Sequence, residues 1–365
     1  MTDTAVPFRP DWVSPPGETI ADLLEERGWS QADLASRLGY STKHVSQLIN
    51  GKVPLTEDTA LRLERVLGST AGFWLAREAE YQARRMRLAA EQSYANWTGW
   101  LDQLPVRELM KTEAISKRRL DAQNKPTIVE ELLRFFGVAS PDEWKTCYAN
   151  VQAAYRRTRE EQCDAGAISA WLRLGEVQAE KIDTPDYNPH RFKKALAGIR
   201  ALTTKPAEKF RPGMFELCRD AGVTLVLVPA IPRAHVSGVA RWLSAGRPLI
   251  QLSLYGKYND RFWFTFFHEA AHILLHGKKE VFLDDFGGET IESQQEQEAN
   301  DWAGNFLIPE EQAEFLRYLT TADAVLEFAH RIGIHPGIVV GRLQHDGVIP
   351  HSRLNNLKVR FEFVQ

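Results

Sequence analysis

The chain has 365 residues with a formal net charge of -3, of which 44% are hydrophobic and 25% charged, as in a globular protein of two or three domains. Its apolar runs are too short to cross a bilayer, and its amino terminus lacks the apolar core of a secretion signal. The small net charge excludes binding to nucleic acid through the field of the whole molecule. Three scattered cysteines, Cys147, Cys163 and Cys218, argue against a disulfide framework and predict a cytoplasmic protein without a membrane partner.

The first 76 residues predict an arm followed by a small helical bundle. Residues 1–16 are rich in proline and are expected to lie over the next domain or to stay mobile. Residues 17–76 predict four short helices, of which the second covers 31–38 and the third 42–50. Two short helices around a tight turn at Gly39 are typical of a helix-turn-helix.

The residues around this turn also carry a family resemblance. WSQADLA at 29–35, Gly39 and VSQLING at 45–51 resemble the phage-repressor (XRE) helix-turn-helix, most closely its antitoxin-type version. The resemblance implies binding to double-stranded operator DNA, with a homodimer possible. The alternative is a bundle that binds protein or only mediates dimerisation. The candidate DNA contacts are Gln31, which matches a phosphate-contacting position of the family, and the residues on the outer face of the third predicted helix, the second of the motif, Thr42, Lys43, His44 and Gln47.

The middle of the chain predicts helices without a catalytic constellation. Residues 71–87 predict one long helix leaving the bundle, whose arginines solvate an exposed face or follow DNA backbone. Apolar spacing and proline punctuation over 77–205 predict a helical connector, either structural or effector-sensing.

The last 160 residues predict an α+β domain, so the expected fold class is multidomain, with an all-α bundle, a helical connector and an α+β zincin-like domain. In the domain at 206–319, a helix is followed by strands at 223–228, 236–242 and 248–253, and then by a further helix. An edge strand of such a sheet can hold an extended substrate peptide. Residues 320–365 predict two helices around a glycine turn, packed on this domain or acting as a second DNA reader.

An apolar run at 263–276 contains the pattern His-Glu-x-x-His. His268 and His272 lie one turn apart on the same face of a helix, so both imidazoles can bind one metal ion while Glu269 reaches a water molecule. The alternative is two histidines packed in an aromatic-rich core helix. A catalytic zinc site needs a third protein ligand.

The next helix supplies the candidates for that ligand. Glu296 lies on the buried stripe of Ala299 and Ala303, whereas Glu298 lies to the side and is the second choice. His276 is expected to support the site or the fold instead of binding the metal, because two i+4 steps rotate it away from His268.

These two helices resemble the ImmA/IrrE metallopeptidases, through FHEAAHILLHG at 267–277, EQEANDWA at 296–303 and LIP at 307–309. One departure is Trp302, where phenylalanine is usual. The resemblance implies Zn2+ held by His268, His272 and Glu296, with Glu269 as general base, and cleavage of the protein itself or of a partner repressor or antitoxin to relieve repression. The alternative is an antitoxin-like repressor whose peptidase fold senses or binds a partner without proteolysis.

Overall fold

A computed structural model of the chain describes residues 14–156, 164–276, 282–284 and 294–362. It divides the chain into two units, residues 1–98 and 99–365. Most of the predicted arm, residues 1–13, lies outside the described residues. Within them, no helix combines the length and apolar character that crossing a bilayer requires.

The described residues of the first unit, from 14 onward, form a bundle of five helices with one apolar core. The second helix begins with a capping box, in which the Ser30 hydroxyl accepts from the Asp33 N–H and the Asp33 carboxylate accepts from the Ser30 N–H. The core contains Ile20, Leu34, Val45 and others. The helices are α1 (Pro16–Arg27), α2 (Gln31–Leu38), α3 (Thr42–Ile49), α4 (Glu57–Leu67) and α5 (Ala71–Asn96).

Close backbone contact fixes the start of this bundle. A Cβ atom on Gly17 would lie 1.9 Å from the carbonyl oxygen of Ile49, so only glycine lets α1 approach the end of α3 this closely. At the other end, α5 continues to Asn96 instead of ending near residue 87. Among the residues of α5, all of which are described, only Trp74 is buried, so most of this helix is not fixed by a core.

The second unit joins a helical layer to a small mixed sheet. Its elements are α6 (Val106–Lys111), α7 (Lys125–Phe136), α8 (Pro141–Arg156), α9 (Ala165–Ala179), α10 (Pro189–Leu202), α11 (Ala207–Asp220), β1 (Thr224–Leu227), β2 (Gly238–Ser244), β3 (Arg247–Leu252), α12 (Asn259–Leu275), β4 (Phe282–Asp284), α13 (Gln294–Leu307), α14 (Glu310–Ala313), α15 (Ala322–Ile332) and α16 (Pro336–His345).

The sheet has the strand order β1-β3-β2-β4. β1 is parallel to β3, whereas β2 is antiparallel to both β3 and β4. The first three strands were predicted from the sequence, whereas β4, which places Asp284 opposite Gly238, was not. The β-rich runs before α12 therefore form the sheet, and a short segment after α12 extends it.

Helices cover both faces of this sheet. Residues alternate between the faces along each strand. Ala240, Ile250 and Leu252 share a core with α12, while Arg241 and Gln251 point to the opposite face and bond to α9. The approach of α9 is close, because a Cβ atom on Gly175 would lie 1.8 Å from the Gln251 side chain.

The connector expected at 77–205 therefore does not correspond to one part of the structure. Residues up to 98 group with the bundle, because α5 is continuous across position 77. From residue 99 onward the chain groups with the sheet, since α9 covers its back face and α10 shares the core of α12. The expected boundaries at 76/77 and 205/206 differ from the observed one because they followed pattern changes along the chain, not packing.

The carboxyl-terminal residues pack on α12 within the second unit. A Cβ atom on Gly341 of α16 would lie 2.8 Å from Asp260. The Asn259 side-chain oxygen accepts from the Val359 N–H at 3.0 Å, and Lys358 forms a buried ion pair with Asp260 at 2.5 Å. These contacts hold the start of α12 in place.

Candidate metal centre and nucleic-acid interface

The two histidines of the predicted motif meet on the buried side of α12. His268 and His272 are 1% and 2% exposed, and their Nε2 atoms are 2.9 Å apart. Both lie in the second half of a helix of 17 residues, one turn apart. Their ligand atoms therefore face the same point.

A carboxylate from α13 completes the group. The Glu296 oxygens lie 3.1 Å from His268 Nε2 and 3.5 Å from His272 Nε2. α13 comes this close to α12 because the facing residues Ala299 and Ala303 are small and fully buried. Among the described residues, these three side chains form a group of possible metal ligands whose atoms lie within 4.8 Å of one another.

The geometry and chemistry of the three ligands fit zinc. Zinc bonds of about 2.0–2.1 Å at tetrahedral angles place neighbouring ligand atoms about 3.3–3.4 Å apart. The observed separations of 2.9, 3.1 and 3.5 Å lie around that value. Two imidazoles and one carboxylate also form a ligand set of catalytic zinc sites, in which a fourth position stays open.

The protonation of these ligands suits a cation. Burial lowers the pKa of His272 to about 4, which keeps its imidazole neutral and able to bind a metal. For Glu296, burial alone would raise the pKa, but hydrogen bonds and charges from His268 and His272 outweigh it and lower the pKa to about 2. At neutral pH the site therefore holds the Glu296 carboxylate and the neutral His272 imidazole.

Glu269 lies beside the ligands against the first residue of β2. Its side chain is fully buried. A Cβ atom on Gly238 would lie 2.6 Å from Glu269 Oε1 and 2.6 Å from Thr265 Cγ2. The absence of a side chain at Gly238 thus makes the space that the carboxylate occupies. Gly238 was not predicted from the sequence, because its contact with Glu269 depends on where β2 crosses α12.

The predicted DNA-contacting residues lie at the helix-turn-helix formed by α2 and α3. Gln31 is the first residue of α2 and is exposed, as are Thr42 and Lys43 at the start of α3. His44 and Gln47 are half-buried, and the ring of His44 packs edge-on against that of Tyr40, with centroids 4.7 Å apart.

Of two cations that could add charge to this surface, Lys52 is exposed and Arg62 has intramolecular partners. Arg62 donates to the carbonyl of Leu38 and to Asp58, each at 2.7 Å, and its guanidinium lies over the ring of Tyr40. These contacts hold α4 against the end of α2. Arg62 is therefore a structural residue of the bundle in this conformation.

Comparison with known proteins identifies both parts of the chain. Residues 20–74 match the Helix-turn-helix family model, and residues 226–344 match that of the IrrE N-terminal-like domain. The chain joins a helix-turn-helix domain to an IrrE N-terminal-like domain. The predicted fusion and the multidomain fold, with a bundle and an α+β domain, are thereby confirmed.

Comparisons with individual proteins add similarity over part of the chain. No curated protein matches the chain. A solved structure, of an antidote protein assigned to a plasmid maintenance system of Nostoc punctiforme, is 32% identical. The match covers 22% of this chain and 92% of that chain, with a TM-score of 0.22.

In the IrrE-like domain, His276 and Glu298 lie next to the ligand group. α12 ends at Leu275, and His276 has an extended backbone with φ -110° and ψ 167°. Its Nδ1 atom lies 2.8 Å from His272 Nδ1, and its Nε2 atom lies 3.3 Å from Glu298. Glu298, the second choice for the third ligand, thus lies at His276 and not in the group of His268, His272 and Glu296.

Proposed function

We propose that this chain is a DNA-binding transcriptional regulator whose IrrE-like domain is a zinc metallo-endopeptidase. It hydrolyses a peptide bond in itself or in a partner repressor or antitoxin and thereby relieves repression. The observation that carries the proposal is the convergence of His268, His272 and Glu296, with the buried Glu269 beside them. The proposed role in transcription rests on the helix-turn-helix domain in the same chain.

The residues of the site have two roles in hydrolysis, metal binding and proton transfer. His268, His272 and Glu296 would hold zinc, which when bound supplies Lewis-acid polarisation of a peptide carbonyl and of a water molecule. Glu269 accepts a proton from the attacking water at its carboxylate and then donates that proton to the leaving amine. Its buried position against Gly238 keeps the carboxylate aligned and limits access of bulk water.

The peptidase proposal is tested by metal content and by one substitution. The purified chain is analysed for zinc, and wild-type protein and Glu269→Gln are compared for cleavage of themselves and of partner repressors. We expect zinc in both proteins and cleavage only by the wild type, because the amide cannot act as a general base. As a matched control, Glu327→Gln changes an exposed residue of α15 and should cleave normally.

Two outcomes would reject the peptidase role. One is a wild-type protein that holds no zinc. The other is zinc-loaded protein that leaves itself and its partners intact under all inducing conditions. Either result would leave a repressor whose IrrE-like domain has no proteolytic role.

The proposed DNA binding is tested by measuring affinity for the DNA upstream of the protein's own gene. Lys43→Ala should weaken binding to all sequences and reduce the slope of log affinity against log salt by about 1, because one phosphate contact is lost. Gln31→Ala should also weaken binding, and Gln47→Ala should relax sequence preference. Lys145→Ala removes the same charge from an exposed position of the second unit and should bind normally. Unchanged binding by all three first-unit variants would reject these contacts.

A further inference from the structure

The side of His272 that faces away from the ligand group carries a second set of polar contacts. His272 has its Nε2 atom toward His268 and Glu296, and its Nδ1 atom 2.8 Å from His276 Nδ1. His276 Nε2 lies in turn 3.3 Å from Glu298 Oε2. Glu298 Oε1 accepts a hydrogen bond from Gln294 at 2.9 Å. Four side chains are thus connected in a row that leads from the ligand group to the protein surface.

Only one arrangement of protons satisfies these contacts when His272 binds a metal. A metal-binding imidazole is neutral and uses the lone pair of Nε2, so its single proton lies on Nδ1. His272 Nδ1–H then donates to His276 Nδ1, which has to be the acceptor. The proton of His276 therefore lies on Nε2 and donates to the Glu298 carboxylate. Each donor faces an acceptor along the whole row.

From this arrangement we infer that His276 and Glu298 are positioning residues that fix the ring of His272 for zinc. Metal-binding histidines usually donate their second N–H to a carboxylate, carbonyl or water, which fixes the tautomer and increases the basicity of the ligand. Here an imidazole is inserted between the ligand and the carboxylate. The inference rests on the proposed zinc site and adds two residues that do not contact the metal.

The local fold explains why His276 can reach this position. If the helix continued through residue 276, the His276 side chain would be rotated about 40° around the helix axis relative to that of His272. Because α12 ends at Leu275, the extended backbone of His276 directs its ring toward His272 Nδ1, while its own N–H still bonds to the His272 carbonyl at 3.1 Å. The His276 side chain is 4% exposed and that of Glu298 is 47% exposed. The row therefore has a buried end at the ligand and a solvated end at the carboxylate.

The test measures zinc affinity independently of catalysis. Zinc is titrated into the metal-free full chain in competition with a chromophoric chelator, for the wild type, His276→Leu, His276→Asn and Glu298→Leu. We expect His276→Leu to bind zinc about 10–100-fold more weakly, as for other losses of such partners. His276→Asn should recover most of this loss, because its side-chain oxygen can accept from His272. Glu298→Leu should show a smaller loss, since that residue is half exposed.

Matched controls separate positioning from general stability. His345→Leu and Glu327→Leu change exposed residues of the same unit and should leave zinc affinity unchanged. Urea unfolding of each metal-free variant reports stability alone. Zinc affinity in His276→Leu equal to that of the wild type would overturn the inference, even if its metal-free stability is lower.

The remaining outcomes are also decisive. If His276→Leu does not fold, Glu298→Leu carries the test, and unchanged zinc affinity in that variant overturns the inference. A wild-type protein that binds zinc together with an unaffected His276→Leu rejects only the positioning role. A wild-type protein that binds no zinc rejects the proposed metal site and the inference with it.

Discussion

Replacing Gly238 with alanine should disable the site without touching a metal ligand. The new Cβ atom would lie 2.6 Å from both Glu269 Oε1 and Thr265 Cγ2, whereas real Cβ contacts are essentially never shorter than 3.0 Å. Reaching even the tight separations of 3.0–3.4 Å that real Cβ atoms show requires a shift of about 0.4–0.8 Å from 2.6 Å. Gly238 is paired on both sides within the sheet, so the Glu269 carboxylate and the Thr265 side chain are the groups that have to move.

This displacement determines how much stability and how much peptidase activity Gly238→Ala should lose. Overpacking of this kind costs about 1–3 kcal/mol in the free energy of unfolding. A misplacement approaching 1 Å costs on the order of 100-fold in the rate of peptide hydrolysis. Zinc affinity should stay unchanged, because His268, His272 and Glu296 are not involved.

A double-mutant cycle tests whether the overlap with the Glu269 carboxylate causes the loss of stability. Urea unfolding is measured for Gly238→Ala, Glu269→Ala and the double variant. Part of the cost of Gly238→Ala should disappear when the carboxylate is absent, with a coupling energy of about 0.5–3 kcal/mol. Gly99→Ala is the matched control, since its Cβ would meet no atom within 4 Å. Full stability and activity of Gly238→Ala, or additive costs, would refute the reasoning.

Three further predictions concern stability. Burial lowers the pKa of His335, so folded His335 stays neutral where the unfolded residue, with a pKa of about 6.5, takes up a proton. Stability should therefore fall as the pH drops below about 6.5, and urea unfolding of His335→Asn should show a smaller fall. In the bundle, Gly17→Ala should cost at least about 1–3 kcal/mol in thermal unfolding, because its Cβ would meet backbone at 1.9 Å. Glu176→Ala should cost about 3 kcal/mol in urea unfolding, because it leaves the buried Arg241 without its carboxylate at 2.6 Å.

Each stability prediction has a control and a contrary outcome. An identical pH dependence in wild type and His335→Asn would exclude that histidine as a cause. Gly72→Ala, whose Cβ would meet no atom closer than 3.8 Å, should unfold at or above the wild-type temperature, and an equal loss in both glycine variants would contradict the packing argument. Glu180→Ala removes a half-exposed partner of Arg173 and should cost less than about 1 kcal/mol. If Glu176→Ala costs no more than Glu180→Ala in the free energy of unfolding, the burial of Arg241 does not determine the effect.

The local pattern of the chain predicted the elements that form the candidate metal centre. The i, i+4 spacing of His268 and His272 and the buried stripe of Glu296 depend on helical periodicity, which sequence reports directly. The structure brings these three side chains together. The helices of the bundle were also predictable from local sequence, because glycines and capping serines mark their ends.

Contacts between distant segments were not predictable in this way. Nothing local to Gly238 indicates that it faces Glu269, because that contact depends on where β2 crosses α12. The contact of His276 with His272 depends on α12 ending at Leu275, and helix ends are the least certain part of a sequence-based prediction. The role of α9 was missed because it follows from packing against a sheet that begins 45 residues later.

The close approach of α9 to the sheet limits how the IrrE-like domain can be transferred between proteins. A fragment starting at residue 206 would match the family model yet expose the fully buried Val239 and Leu249 and leave Arg241 without the α9 groups that it contacts. Such a fragment should aggregate, because a contiguous apolar surface would face solvent. The unit that can be moved intact is residues 99–365, so recombination that joins the IrrE-like domain to a different domain has to carry α9 with it.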